Sequence, residues 1–132
     1  MPENKISSEK VAVIKRDDFI HRYANATRFE STVYDLKIVF GDTDLRSATN
    51  EGEVLVQHTA ITLPWALVKT VIYFLEGNLA IHEAANGPVH VPPSQVPPPY
   101  EPLDRPGSEH AKKAVQVLRE AFIAKNFPTT KK

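Results

Sequence analysis

The run from Thr62 to Gly87, TLPWALVKTVIYFLEGNLAIHEAANG, constrains this chain more than any other stretch. Its spacing predicts one long helix over residues 63–86, with Pro64 in the first turn, where a missing N–H costs nothing. Gly87 supplies a C-terminal stop and Pro88 blocks continuation. Such a helix spans roughly 34 Å. Trp65, Val68, Ile72, Leu75 and Leu79 fall on one stripe, and Leu67, Val71, Phe74 and Ile81 on a second beside it. Only Lys69, Tyr73, Glu76 and Glu83 form a polar strip. A surface helix needs one apolar stripe, so the second calls for a second cover. In a chain of 132 residues that cover is the C-terminal helix or another protomer, and we expect a protomer to supply at least part of it. The expected association residues are therefore Trp65, Val68, Val71, Ile72, Phe74, Leu75 and Leu79.

Upstream, the pattern changes to a period of two, the mark of half-buried strands. Tyr34, Leu36, Ile38 and Phe40 alternate with Val33, Asp35, Lys37 and Val39. Tyr23 to Glu30 alternates weakly, and Glu30-Ser31-Thr32 reads as the break in a hairpin. In a third strand, Val54 to Thr62, Leu55, Gln57, Thr59 and Ile61 alternate with Val54, Val56, His58 and Ala60. Between the last two strands, Gly41 to Glu53 reads as a polar loop. Val11 to Ile14 is a candidate edge strand, and residues 1–10 read as a disordered tail.

After the long helix, eight of the eleven prolines lie within residues 88–107. Proline at that density favours extended backbone and excludes an inner strand. Val89, Val91, Val96 and Leu103 recur along the segment, which favours a strap over the surface above a free ligand for an aromatic groove. Ser108 reads as the cap of a last helix within residues 108–126, with Ala111, Ala114, Val115, Leu118, Ala121 and Phe122 as its apolar stripe. The expected architecture is α+β in one domain, residues 11–127. A three- or four-stranded antiparallel meander with strands within 11–62 is packed by the long helix, and a second helix returns through the strap.

Composition excludes several function classes. Lys plus Arg and Asp plus Glu are 16 each, so no net charge draws the chain to nucleic acid or anionic lipid. There is no cysteine, hence no disulfide or thiolate metal site, which favours a cytoplasmic location. Lys69, Glu76 and His82 interrupt the most apolar segment, so no membrane span is expected.

The runs RYANATRF, VYDLKIVFGD and QHTAITLPWALVKTVIYFLEGNL resemble the bacterial domain-of-unknown-function 3467 family. The resemblance rests on Tyr23-Ala24-Asn25, Tyr34-Asp35, Phe40-Gly41 and Pro64, and covers roughly half the chain. It implies no particular activity. The order of elements is also similar, in topology alone, to the bacterial Sec-pathway export chaperone. That tetramer packs its long helices between dimers and holds unfolded chains, although this chain lacks its acidity.

Motifs for chemistry are sparse. His82-Glu83 lacks the second histidine of a zinc-protease helix. His21, His58, His82 and His90 have no metal-ligand spacing and read as surface or hydrogen-bonded histidines. Asp42 and Asp44 begin like a calcium loop, but its remaining ligands do not follow, and Asp42 reads as a turn former. Asp35 is expected to pair with Arg28 or a neighbouring strand. No nucleophile elbow or phosphate loop is present, and no metal or cofactor is implied. Tyr23, Arg28 and Lys37, together with Phe29, Tyr34 and Phe40, offer a nucleic-acid face by base stacking. The aromatics are better placed under the long helix. The expected function is a non-enzymatic homo-oligomeric protein-interaction module, a dimer or tetramer, holdase-like or a scaffold for one protein client. The alternative is a nucleic-acid-binding regulator that uses the sheet.

Overall fold

A computed structural model describes residues 11–49, 52–99 and 108–127. The tail at 1–10 and the part of the strap at 100–107 lie outside the described residues. The element order is α+β: strands β1 (Ala26–Ser31), β2 (Asp35–Thr49) and β3 (Gly52–Pro64), helix α1 (Trp65–Asn86), one 3-10 turn at Pro93–Gln95, and helix α2 (Ser108–Asn126). The chain divides into two compact units, Met1–Val71 and Ile72–Lys132.

In the first unit the three strands form an antiparallel meander in the order β1-β2-β3. Glu30 lies opposite Lys37, and Phe29 opposite Ile38. Thr32 builds the first turn. Its Oγ1 accepts the N–H groups of Tyr34 and Asp35, both at 3.1 Å, and donates to Asp35 Oδ1 at 2.8 Å. Asp35 therefore serves the turn and does not pair with Arg28, whose opposite residue is Val39. The hairpin break falls at Thr32–Tyr34, two residues later than the sequence suggests.

The expected polar loop at 41–53 is mostly strand. Thr43 pairs with Leu55, Asp44 with Val54, and Thr49 with Gly52. Cross-strand pairing with a β-branched partner strand outweighs the weak propensity of the polar residues. The pairing also contains a bulge. Phe40 faces Thr59, but Gly41 faces Gln57, so His58 is the extra residue. Strict alternation along β3 is therefore broken. Val54 and Val56 share a face with Thr59, Ile61 and Leu63, whereas Leu55 and Gln57 lie with Ala60 and Thr62. Phe29, Ile38 and Phe40 stand on the first of these faces.

Pro64 ends β3 opposite Asp35, and α1 starts at Trp65, two residues after the expected opening. The residue before a proline is pushed to extended backbone, so Leu63 stays in the strand. Trp65 Nε1 donates to the carbonyl of Thr32 at 3.1 Å, which ties the helix start to the first turn. Residues 11–14 form no strand, since no neighbour offers them a ladder, and Val11, Val13 and Ile14 are exposed. The first strand begins at Ala26 and not Tyr23, because the backbone before it is engaged elsewhere, as described below.

In the second unit, Gly87 closes α1 in the left-handed conformation, φ 86°, with its N–H on the carbonyl of Glu83 at 2.9 Å. The Glu83 carboxylate also accepts the N–H of Val89 at 2.8 Å. Downstream, Arg119 Nε donates to the carbonyl of Pro97 at 2.9 Å, so this part of the proline segment is bound to α2 as a strap. That bond orients α2. Its half-covered row is Ala111, Val115, Arg119 and Ile123, while Ala114, Leu118 and Ala121 of the expected stripe are exposed. Ser108 is the first helical residue and not the residue before it.

Candidate association surface

Apolar side chains on this fold are left largely uncovered. Among the described residues Val39, at 6% exposure, is the one buried apolar side chain, and Gly41 two residues on in β2 is buried as well. No residue of α1 is buried.

All the residues expected to associate lie on α1. Val68 and Val71 are half-buried. Trp65, Ile72, Phe74, Leu75 and Leu79 are exposed, with Leu75 at 64%. At 3.6 residues per turn, Trp65, Val68, Ile72, Leu75 and Leu79 make one stripe, and Phe74 lies on the other with Leu67 and Ile81. Tyr73 and Phe74 meet edge to face, ring centroids 5.4 Å apart at 71°. Around them a groove of ≈ 480 Å³ is lined by Tyr73, Phe74, Glu76, Gly77, Asn78 and Ile81. Gly77 had no place in the sequence-based surface. Reading α1 for its small residues would have found it.

The residues of the nucleic-acid alternative are only partly brought together. Arg28 and Lys37 share one face of the sheet, by the register of β1 on β2. Glu30 stands on that same face and holds Lys37 Nζ at 3.2 Å. A carboxylate on the face offsets the charge a phosphate would need. Tyr23 precedes the sheet and is exposed. Phe29 and Tyr34 are exposed as well, which overturns their expected place under the long helix, and Phe40 is half-buried.

Sequence reasoning also passed over a polar knot at the β3 bulge. The imidazole of His58 bonds on both sides: Nε2 to the carbonyl of Tyr23 at 3.1 Å, and Nδ1 to Thr59 Oγ1 at 2.8 Å. Asp42 Oδ2 lies 3.6 Å from Nε2. Asp42 thus sits inside β2 and is not the turn former expected. Arg22 donates to the carbonyl of His58 at 3.2 Å, and Asn25 Oδ1 accepts the N–H of Thr43 at 2.9 Å. The Tyr23 carbonyl and the Asn25 N–H, which donates to the Gly41 carbonyl at 3.1 Å, are thereby engaged in the stretch that alternation assigned to a strand. The knot joins the Tyr23-Ala24-Asn25 and Phe40-Gly41 motifs in space. Apart from Asp42 Oδ1, which is buried without a hydrogen-bond partner, its groups bond one another, as in a structural clasp.

Among the described residues, no three histidine, aspartate or glutamate side chains gather as metal ligands, and no helix is long and apolar enough to cross a membrane. No family model, no curated protein and no solved structure matches this chain.

Proposed function

We propose that this chain is a non-enzymatic, homo-oligomeric protein-interaction module that binds its own copies and unfolded protein through α1. One observation carries the reading. Trp65, Leu67, Ile72, Phe74, Leu75, Leu79 and Ile81 are all exposed on a single helix. Contiguous apolar surface of this kind marks protein association sites. The exposed sheet residues Phe29, Val54, Val56 and Ile61 extend the same character. A cytoplasmic location belongs to this reading, supported by the absence of cysteine. So does kinship with the domain-of-unknown-function 3467 family, on the motifs quoted above. The pairing of Lys37 with Glu30 disfavours the nucleic-acid alternative.

The test uses one preparation. Light scattering of a heat-labile client should fall with added protein at stoichiometric amounts. A fluorescent single-stranded oligonucleotide should bind only weakly at physiological salt. Tight, steeply salt-dependent oligonucleotide binding with no effect on the client would reverse the reading.

A further inference from the structure

We infer that the Leu67–Phe74–Ile81 stripe of α1 is a self-pairing seam, which takes the α1 of a second copy in antiparallel orientation. The inference rests on the reading of α1 as an association surface and names the occupant and register of one of its two stripes.

Leu67, Phe74 and Ile81 recur every seven residues, and three residues after each stands a small one: Thr70, Gly77 and Ala84. Spacings of three and four in alternation are those of a coiled-coil seam, in which side chains of one helix enter holes on the other. All six residues are exposed. The bulky row of the seam is open along its length, with Leu67, Phe74 and Ile81 exposed at 43%, 58% and 71%.

Orientation follows from size. In a parallel pair each position meets its own copy, so Phe74 would face Phe74 and Gly77 would face Gly77. Reversing one helix sets the bulky row against the small row. A single two-fold axis, passing between Leu75 and Glu76, then places Leu67 opposite Ala84, Phe74 opposite Gly77, and Ile81 opposite Thr70. The largest ring meets the residue with no side chain. This is the self-complementarity a two-fold interface requires. The flanking positions Ala66, Ala80 and Ala85 are also small, which lets the backbones approach.

Gly77 supports the same assignment. Glycine inside a helix is destabilising relative to alanine. A Cβ at Gly77 would have nothing within 4 Å in its own chain, so no packing within the protomer requires the glycine. An incoming Phe74 ring does.

The chain has no cysteine, so single cysteines report orientation directly. Leu67→Cys and Ala84→Cys proteins, mixed and oxidised, should give mainly the mixed 67–84 disulfide. Dominant 67–67 and 84–84 disulfides would overturn the antiparallel seam. Gly77→Leu should weaken self-association at least tenfold in sedimentation equilibrium, while far-UV circular dichroism shows helix content kept or raised. If wild type associates and Gly77→Leu associates equally well, the seam is wrong and the other α1 stripe remains the contact. A wild type that is monomeric at micromolar concentration would remove both the seam and the functional reading beneath it.

Discussion

Gly41 lies against the carbonyl oxygen of Val56 on the neighbouring strand, so closely that any Cβ at this position would collide with it. The obstacle is backbone, held by the sheet ladder, and cannot rotate away. Gly41→Ala should therefore destabilise the first unit by about 1–3 kcal/mol, the range for overpacking a fitted site. A urea midpoint followed by circular dichroism measures it. An unchanged midpoint would mean that the bulge beside it relaxes freely.

The bond from Trp65 to Thr32 gives a second expectation. Trp65→Phe keeps most of the ring but removes the donor to the Thr32 carbonyl. The loss should be about 1 kcal/mol, as for a typical hydrogen bond. Because Trp65 is the only tryptophan, the transition has to be followed by circular dichroism. A Thr32→Ala variant leaves this carbonyl in place but removes the turn bonds to Tyr34 and Asp35, and because Trp65 bonds to this same residue the effects of the two substitutions should couple and fall short of their sum.

Gly87 ends α1 at a positive φ that side chains with a Cβ adopt only at a cost. Gly87→Ala should lower stability by roughly 1 kcal/mol, although alanine is the better helix former. Thermal melting tests the sign. A gain in stability would show that the helix continues past this residue in solution.

Leu75 projects from the other α1 stripe, not the proposed seam, and is largely exposed. Leu75→Asp should leave the fold of the protomer nearly unchanged, since exposed substitutions generally fall within about 0.5 kcal/mol. Its effect should appear in client binding, as a several-fold loss of the suppression seen by light scattering. Full activity in this variant would exclude the stripe from the client surface.

The order of strands, long helix, strap and second helix was legible because each has its own period or punctuation. Gly87 could be read from its place before a proline. What escaped was set by tertiary partners. Alternation treats a strand as uniform, so the His58 bulge, which depends on Gly41 in another strand, left no local signal. Pro64 fits the first turn of a helix equally well as the end of a strand, and its pairing opposite Asp35 decided between them. The stripe on α2 was displaced because Arg119 is held by the carbonyl of Pro97, a bond no hydrophobic pattern encodes. On α1 the bulky half of each stripe was visible. Thr70, Gly77 and Ala84 were not, since small residues matter there as empty space.

The bulge also sets how this sheet tolerates changes of length. His58 is one residue more than β2 can match, and it switches which side of β3 each earlier residue faces. Deleting it would return the strand to strict alternation with Val54 and Val56 still on the side of Thr59, Ile61 and Leu63, where the bulge already holds them. A one-residue deletion at position 58 would therefore keep β3 in register with β2 and need no compensating change in the facing strand. The bulge is thus a point where β3 can shorten by one residue without re-registering, at the loss of the His58 bonds to Tyr23 and Thr59.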